Sequence, residues 1–373
     1  MHMLITANAA WNIWNFRRPL IEALCADGHR ITVLAPPDDA VPDLQRIGCQ
    51  VRPLEMSVKG LNPFEDLKLQ RRLKRVFQEE RPDAILSYTI KNNIFGARAA
   101  RAVGVPFIPN VTGLGTAFLS GGLLQKIAEH LYRRAFATLP IVFFQNEDDR
   151  DLFVDHRLIR ADQAGLLPGS GIDLACFAQT GMPSVETPPI FLMIARLLRD
   201  KGVIEFIDAA RQIKARHPKA RFQLLGATAS ENRTAIDATT VQSWVDEGVV
   251  EYLGTTTDVR PAIAAASCVV LPSYREGAPR TLIEAAAMAR PLIATDVPGC
   301  RAVVDRDVSG FLCAARSADS LAAAMARYLA LSPKARLAMG QAGRTKMERE
   351  FDQALVVAAY RKALAFETVP RQT

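Results

Sequence analysis

The chain has 373 residues, more than one hydrophobic core ordinarily organises, which points to two domains. With 49% hydrophobic and 23% charged residues and a mean hydropathy of +0.06, the composition excludes a disordered chain, and no apolar run is long enough for a membrane span. The formal net charge of +7, from 46 Lys+Arg against 39 Asp+Glu, favours anionic partners such as nucleic acid, acidic lipid or phosphorylated substrates.

The N-terminal stretch MHMLITANAAW lacks a basic region followed by a long apolar run, so any membrane contact is expected to be peripheral. MLIT (3–6) reads as a strand, PLIEALCADGH (19–29) as a helix closed by Gly28, and ITVLAP (31–36) as the next strand. DAILSY (83–88) and PFIPN (106–110) read as two more strands. The small, polar, proline-rich stretch TGMPSVETPP (180–189) suits a linker. Beyond it IFLMIARL, RFQLLG, VVEYLG, SCVVLP and RPLIATD read as five strands, each followed by a helical segment. FDQALVVAAYRKALAF (351–366) has the apolar spacing of a closing helix. Strands too apolar to have a wet face, alternating with helices, predict α/β architecture: two doubly wound parallel sheets, with ligands at the strands' carboxyl ends.

Two segments carry candidate chemistry. In ARLLRDKG (195–202), Arg196 and Lys201 follow a strand five positions apart, where two cations suit a diphosphate or simply form a solvated basic loop. In PSYREGAPRTLIEAAAMARPLIATDVPGCR, Gly277 gives backbone freedom and Pro279 fits a helix start, so amides at Gly277 and Ala278 meet a positive dipole that suits phosphate. Glu276 sits at that helix mouth and Glu284 about 7.5 Å beyond Pro279 along the axis. Carboxylates accept well from vicinal hydroxyls, so the set suits a nucleotide sugar. Alternatively Glu276 only stabilises the helix start and Glu284 is a paired surface charge.

These residues resemble a family. Glu276 and Glu284 match an E-x7-E motif and Arg196 and Lys201 an R-x4-K-G motif, in the order found in retaining glycosyltransferase family 4. IKNN (90–93) and NVTGLGTAF (110–118) are similar to the branch that builds exopolysaccharides, capsules and lipid-linked glycans. The resemblance covers most of the chain. It implies the GT-B fold, two Rossmann-like domains facing across a cleft: an acceptor-binding domain over 1–175 and a nucleotide-sugar-binding domain over 176–350, with the terminal helix, 351–373, free to pack on either domain, back on the first among them. It also implies transfer from a UDP-sugar with the anomeric configuration kept, Glu284 on the ribose, Glu276 on the sugar, and Arg196 and Lys201 on the leaving diphosphate. Leu253 and Gly254 would line the base, and Gly277, Ala278, Pro279 and Arg280 would flank the phosphates or sugar. The expected acceptor is a polyprenyl-diphosphate-linked saccharide, the expected location the cytoplasmic face of the inner membrane.

The sequence departs from the family in two places. Thr112 stands where many relatives carry a histidine near the sugar, and TANAAWNIWNFR (6–17) replaces a glycine-rich loop. Asn8, Asn15, Arg17 and Thr112, with Lys91 and Asn93 in the loop after DAILSY, are the acceptor-side candidates.

Other signals are weaker. The triplets Asp149–Asp151 and Asp305–Asp307 read as a helix opening and a turn, and the five histidines lack ligand spacing, so neither a metal nor another cofactor is expected. Cys25, Cys49, Cys176, Cys268, Cys300 and Cys313 form no C-x-x-C pair and are expected to be reduced. GLGTAF (113–118) is not a dinucleotide fingerprint, because it does not follow the first strand and lacks the third glycine. Over 118–136, Leu123, Leu124, Ile127, Leu131 and Phe136 can share one helix face with Lys126, Arg133 and Arg134 elsewhere, which suits either an ordinary core helix or one lying on anionic lipid. The leading reading is a glycosyltransferase moving a hexose or N-acetylhexosamine, with no nucleic acid partner. The alternatives are a sugar-nucleotide epimerase of the same fold and a non-catalytic nucleotide-sugar-binding protein.

Overall fold

The computed structural model describes residues 1–57, 62–114, 118, 122–228, 232 and 234–368. The chain divides into two compact units, one of Met1–Gly171 with the segment from Gln353 onward, the other of Ile172–Asp352.

The first unit runs β1 (His2–Thr6), α1 (Ala10–Ala26), β2 (Arg30–Ala35), α2 (Val41–Arg46), β3 (Gln50–Pro53), α3 (Pro63–Glu80), β4 (Ala84–Tyr88), α4 (Ile90–Val103), β5 (Phe107–Val111), α5 (Gly122–Phe136), β6 (Val142–Phe144), α6 (Glu147–Asp155) and β7 (Ala164–Leu166). Its seven strands pair in parallel in the order β3-β2-β1-β4-β5-β6-β7. Alternate residues of β1 feed opposite faces, Met3 and Ile5 into one apolar cluster and Leu4 into another, as the two-residue period of a strand dictates. A sheet with a core on each side is doubly wound, and its strands have no wet face to mark with polar residues.

The second unit runs β8 (Ile190–Ile194), α7 (Val203–Arg216), β9 (Arg221–Leu225), α8 (Ala238–Asp246), β10 (Glu251–Tyr252), α9 (Arg260–Ala265), β11 (Cys268–Leu271), α10 (Arg280–Ala287), β12 (Leu292–Thr295), α11 (Cys300–Val303), β13 (Gly310–Cys313), α12 (Ala318–Ala330) and α13 (Pro333–Lys346). The parallel order β10-β9-β8-β11-β12-β13 again has apolar clusters on both faces. A π-helical turn, Met347–Phe351, leads to α14 (Gln353–Thr368), which returns to the first unit: Val356, Val357 and Tyr360 join the cluster beneath α1. Arg290, fully buried, ties the second unit together by donating to the carbonyls of Thr180, Gly181, Ile263, Ala264 and Met288.

Three expectations are corrected. The first helix begins at Ala10, not Pro19; Pro19 is interior, and Asn15 and Arg17 stand on α1. Lys91 and Asn93 lie in the first turn of α4, not in a loop, because Thr89 turns the chain with φ +70° and the helix starts at once. On α5 the apolar residues do not share one covered face: Tyr132, Ala135 and Phe136 are buried, whereas Leu123 and Ile127 are exposed with Lys126, Arg133 and Arg134. Part of GLGTAF, and 119–121 ahead of α5, lie outside the described residues. No helix among the described residues is long and apolar enough to cross a membrane.

Candidate active site

Strand β11 is apolar and buried throughout, and its carboxyl end at Pro272 opens a loop that leads into α10. Pro279 caps α10, and Arg280 is its first residue. The loop after β8 lies against this one. Gly202, with φ +76°, makes the approach possible, because a Cβ there would stand 2.0 Å from the Pro272 carbonyl oxygen. The Tyr274 amide donates to the Asp200 carbonyl at 2.9 Å. On the other side Gly299, φ +77°, lets the loop after β12 close on the same segment, since a Cβ would meet the carbonyls of Gly277 and Glu276 at 2.5 and 2.6 Å.

This packing brings Lys201 and Glu276, 75 positions apart, into an ion pair: Lys201 Nζ donates to Glu276 Oε1 at 2.5 Å, with exposures of 23% and 13%. Ser273 Oγ donates to the same oxygen at 2.6 Å. Ser273 is held in turn from behind by Thr295, whose hydroxyl donates to its carbonyl. Glu276 is therefore a fixed acceptor rather than a loose helix-start charge, and Lys201 a fixed cation at the carboxyl ends of β8 and β11.

Glu284 lies deeper on α10, among buried Leu282, Ile283, Ala285, Ala286 and Ala287. Arg280 Nε donates to its Oε1 at 2.6 Å. Burial pushes the Glu284 carboxyl above the usual range, the Arg280 charge and hydrogen bond oppose that, and the Asp258 carboxylate adds to the rise. A carboxylate this buried is not a paired surface charge, and holding it there costs stability that a structural role would not explain. Arg196 is exposed in the turn after β8 and has no ion-pair partner among the described residues. Leu253 is exposed beyond β10, and Gly254 follows with φ +70°, its carbonyl accepting from the Gly226 amide at 2.8 Å.

In the first unit the candidates fall at the carboxyl ends of β1, β4 and β5. Arg17 is 3% exposed and stacks over the Tyr88 ring at 4.0 Å, its Nε and Nη1 buried without hydrogen-bond partners among the described residues. It reaches the strand ends because helical side chains lean toward the helix N-terminus, and α1 starts there. Asn8 Oδ1 is another buried atom with no hydrogen-bond partner among the described residues. Asn93 donates to the Asn110 carbonyl at 2.8 Å, and Asn110 Nδ2 to Tyr360 of α14 at 3.1 Å. Asn15 donates to the Trp11 carbonyl at 3.0 Å, and Lys91 pairs with Asp66 at 2.9 Å, so neither is a loose polar arm. Thr112 is half-buried just past β5. Ser273, Tyr88 and Tyr360 carried no spacing signal and were not singled out by the sequence.

The aspartate triplets serve local structure. Asn146 caps α6 by accepting from the Asp149 amide at 2.8 Å, Asp305 pairs with Lys346 at 2.5 Å, and Asp307 pairs with Arg327 at 2.7 Å.

Comparison with known proteins adds family and fold. Residues 13–169 match the family model described as glycosyl transferase 4-like domain, and residues 188–330 the model described as glycosyl transferases group 1. The chain is 29% identical over 337 residues to N,N'-diacetylbacillosaminyl-diphospho-undecaprenol alpha-1,3-N-acetylgalactosaminyltransferase of Campylobacter jejuni, covering 86% of this chain and 87% of that one. It is 26% identical over 293 residues to UDP-Gal:alpha-D-GlcNAc-diphosphoundecaprenol alpha-1,3-galactosyltransferase of Escherichia coli, covering 72% of each. Among solved structures, a glycosyltransferase from Rickettsia africae superposes with a TM-score of 0.78 at 15% identity, covering 100% of this chain and 99% of that one. HepE of Anabaena in complex with UDP superposes with 0.78 at 19% identity, covering 98% and 100%.

Proposed function

The chain belongs to the GT-B glycosyltransferases, with relatives in lipid-linked glycan and polysaccharide biosynthesis, and we propose that it moves a hexose or N-acetylhexosamine from a UDP-sugar to a polyprenyl-diphosphate-linked saccharide with the anomeric configuration kept. The observation that carries this reading is the pair of ion pairs beside the start of α10, Lys201 with Glu276 and Arg280 with Glu284, which gathers two carboxylates and two cations at a helix N-terminus, with Arg196 exposed in the turn after β8. In this reading Glu284 accepts from the ribose hydroxyls, Glu276 from the donor sugar, and Leu253 and Gly254 flank the base.

Negative charge builds on the departing β-phosphate oxygen as the glycosidic bond breaks, and fixed cations there stabilise that charge more than they stabilise the ground state. Lys201 and Arg196 take this role, with Gly277, Ala278 and Pro279 beside the phosphates. The acceptor hydroxyl approaches the same face of the sugar and its proton passes to the leaving phosphate, so neither a side-chain nucleophile nor a metal is needed. The acceptor side falls to Asn8, Asn15, Arg17, Lys91, Asn93 and Thr112. Leu123 and Ile127, exposed beside Lys126, suit a peripheral contact with anionic lipid on the cytoplasmic face.

The test is incubation of the purified protein with a panel of sugar nucleotides and a membrane lipid extract, with and without chelator, the product identified by mass and its anomeric configuration by NMR. A lipid-linked product of retained configuration, formed equally with chelator, is expected. An inverted product, or release of an altered sugar nucleotide without acceptor, would refute the mechanism.

A further inference from the structure

Arg280 stands where helix physics disfavours a cation. It is the first residue of α10, whose first turn holds no acidic side chain, and a helix N-terminus already presents positive charge. The order of its pair is also the weaker one, since an acid preceding a base at i,i+4 stabilises a helix better than the reverse. Helix stability therefore does not account for an arginine at this position.

One of its contacts is with Glu284. Arg280 Nε meets Glu284 Oε1 at 2.6 Å, and the carboxylate side chain is 10% exposed. Among the described residues, the charged groups that act on that carboxylate are Arg280 on α10 and Asp258 in the segment after β10. Asp258 is itself paired with Arg260 at 2.8 Å. Burial and Asp258 both favour a neutral Glu284, and the guanidinium opposes them. The difference matters chemically. A carboxylate accepts from two vicinal hydroxyls at once with charge-assisted bonds, whereas a neutral carboxyl has given one of its positions to a proton.

We propose that Arg280 is a positioning residue of the donor site, holding Glu284 ionised and oriented to accept from the nucleotide's ribose diol, without itself needing to touch the donor. The ribose part rests on the function proposed above; the coupling of the two side chains does not.

The experiment therefore has a ligand-free arm. The Glu284 carboxyl is titrated by carbon-13 NMR in protein with labelled glutamate, Glu284→Gln assigning the resonance, in the wild type, Arg280→Gln and Arg280→Lys. The midpoint should rise in Arg280→Gln and return part of the way in Arg280→Lys; an unchanged midpoint in Arg280→Gln would overturn the proposal. The second arm measures UDP affinity from pH 5.5 to 8.5. Below its midpoint, Arg280→Gln should lose binding about tenfold per pH unit, and the Arg280→Gln, Glu284→Gln double variant should lose that pH dependence. Wild-type binding with a flat profile in Arg280→Gln would also overturn it. A midpoint that shifts in a chain that binds no UDP at any pH would refute the nucleotide reading and the ribose role with it, while upholding the coupling.

Discussion

Glu284→Gln should move stability and donor binding in opposite directions. The residue is 8% exposed, and burial raises its carboxyl in the folded chain above the unfolded value. A group shifted this way contributes its full stability below the ordinary carboxylate range and loses it as pH rises through the raised value. The wild type should therefore lose stability relative to the glutamine variant over that window, because only the wild type carries this titration. The variant should melt higher than the wild type at pH 8, with the gap closing toward pH 4. Binding goes the other way. Hydrogen bonds to a charged acceptor contribute about 1.5–3 kcal/mol and neutral ones about 0.5–1.5, so two ribose hydroxyls together lose about 2–3 kcal/mol. That corresponds to UDP binding weaker by about 30- to 150-fold. Thermal melts across a pH series and calorimetric titration with UDP measure both. A variant that melts lower than the wild type at pH 8, or binds UDP within about threefold of it, would refute the assignment.

Lys201→Met should reduce turnover by about 100-fold or more, because the lost cation stabilises charge that develops only as the diphosphate leaves; the fold should survive, since Glu276 keeps its Ser273 hydrogen bond, and steady-state kinetics beside circular dichroism reads both. Arg290→Met leaves carbonyls of both the 180–181 segment and the α9 and α10 ends without donors in a buried place, and should destabilise by about 4 kcal/mol or more in urea unfolding; a loss under about 1 kcal/mol would show that water replaces it. Leu123→Asp with Ile127→Asp, at positions 74% and 45% exposed, should weaken sedimentation with vesicles rich in anionic lipid and leave UDP affinity unchanged.

The central strands were legible because a doubly covered sheet needs uninterrupted apolar residues, and MLIT, ITVLAP and DAILSY lie on β1, β2 and β4 almost residue for residue. The strands the sequence did not mark are short or peripheral. β3 is the edge strand QVRP, mostly exposed, β7 is the partly exposed AGL, and β6 has three residues. β3 and β7 bury too little for hydrophobic patterning to register, and β6, though fully buried, is too short for it. The start of α1 was hidden for a different reason. Proline favours the first turn of a helix, so Pro19 marks a plausible start, whereas the true N-cap, Ala9, offers no side-chain hydrogen bond and leaves no sequence signature.

At the candidate site, spacing alone identified which residues matter locally and not which would meet. Arg280 and Glu284 are four apart on one helix, so their contact follows from helical period. The Lys201–Glu276 contact spans two loops, and it depends on Gly202 coming within a distance of Pro272 that no side chain would permit. Gly202, next to Lys201, permits that approach, but nothing in the local spacing says that Pro272 is the segment it would meet. The same holds for Ser273, a serine at a strand end like many others, which donates to Glu276 from a backbone that Thr295 on the neighbouring strand helps to hold. An alanine at Gly202 would therefore separate the two contributions: it leaves the motif residues unchanged and forces the loop after β8 away from β11. The Lys201–Glu276 pair should part while Arg280–Glu284 stays intact, so turnover should fall far more than UDP affinity. Equal losses in both would mean that the two ion pairs form one rigid unit rather than two independently positioned ones.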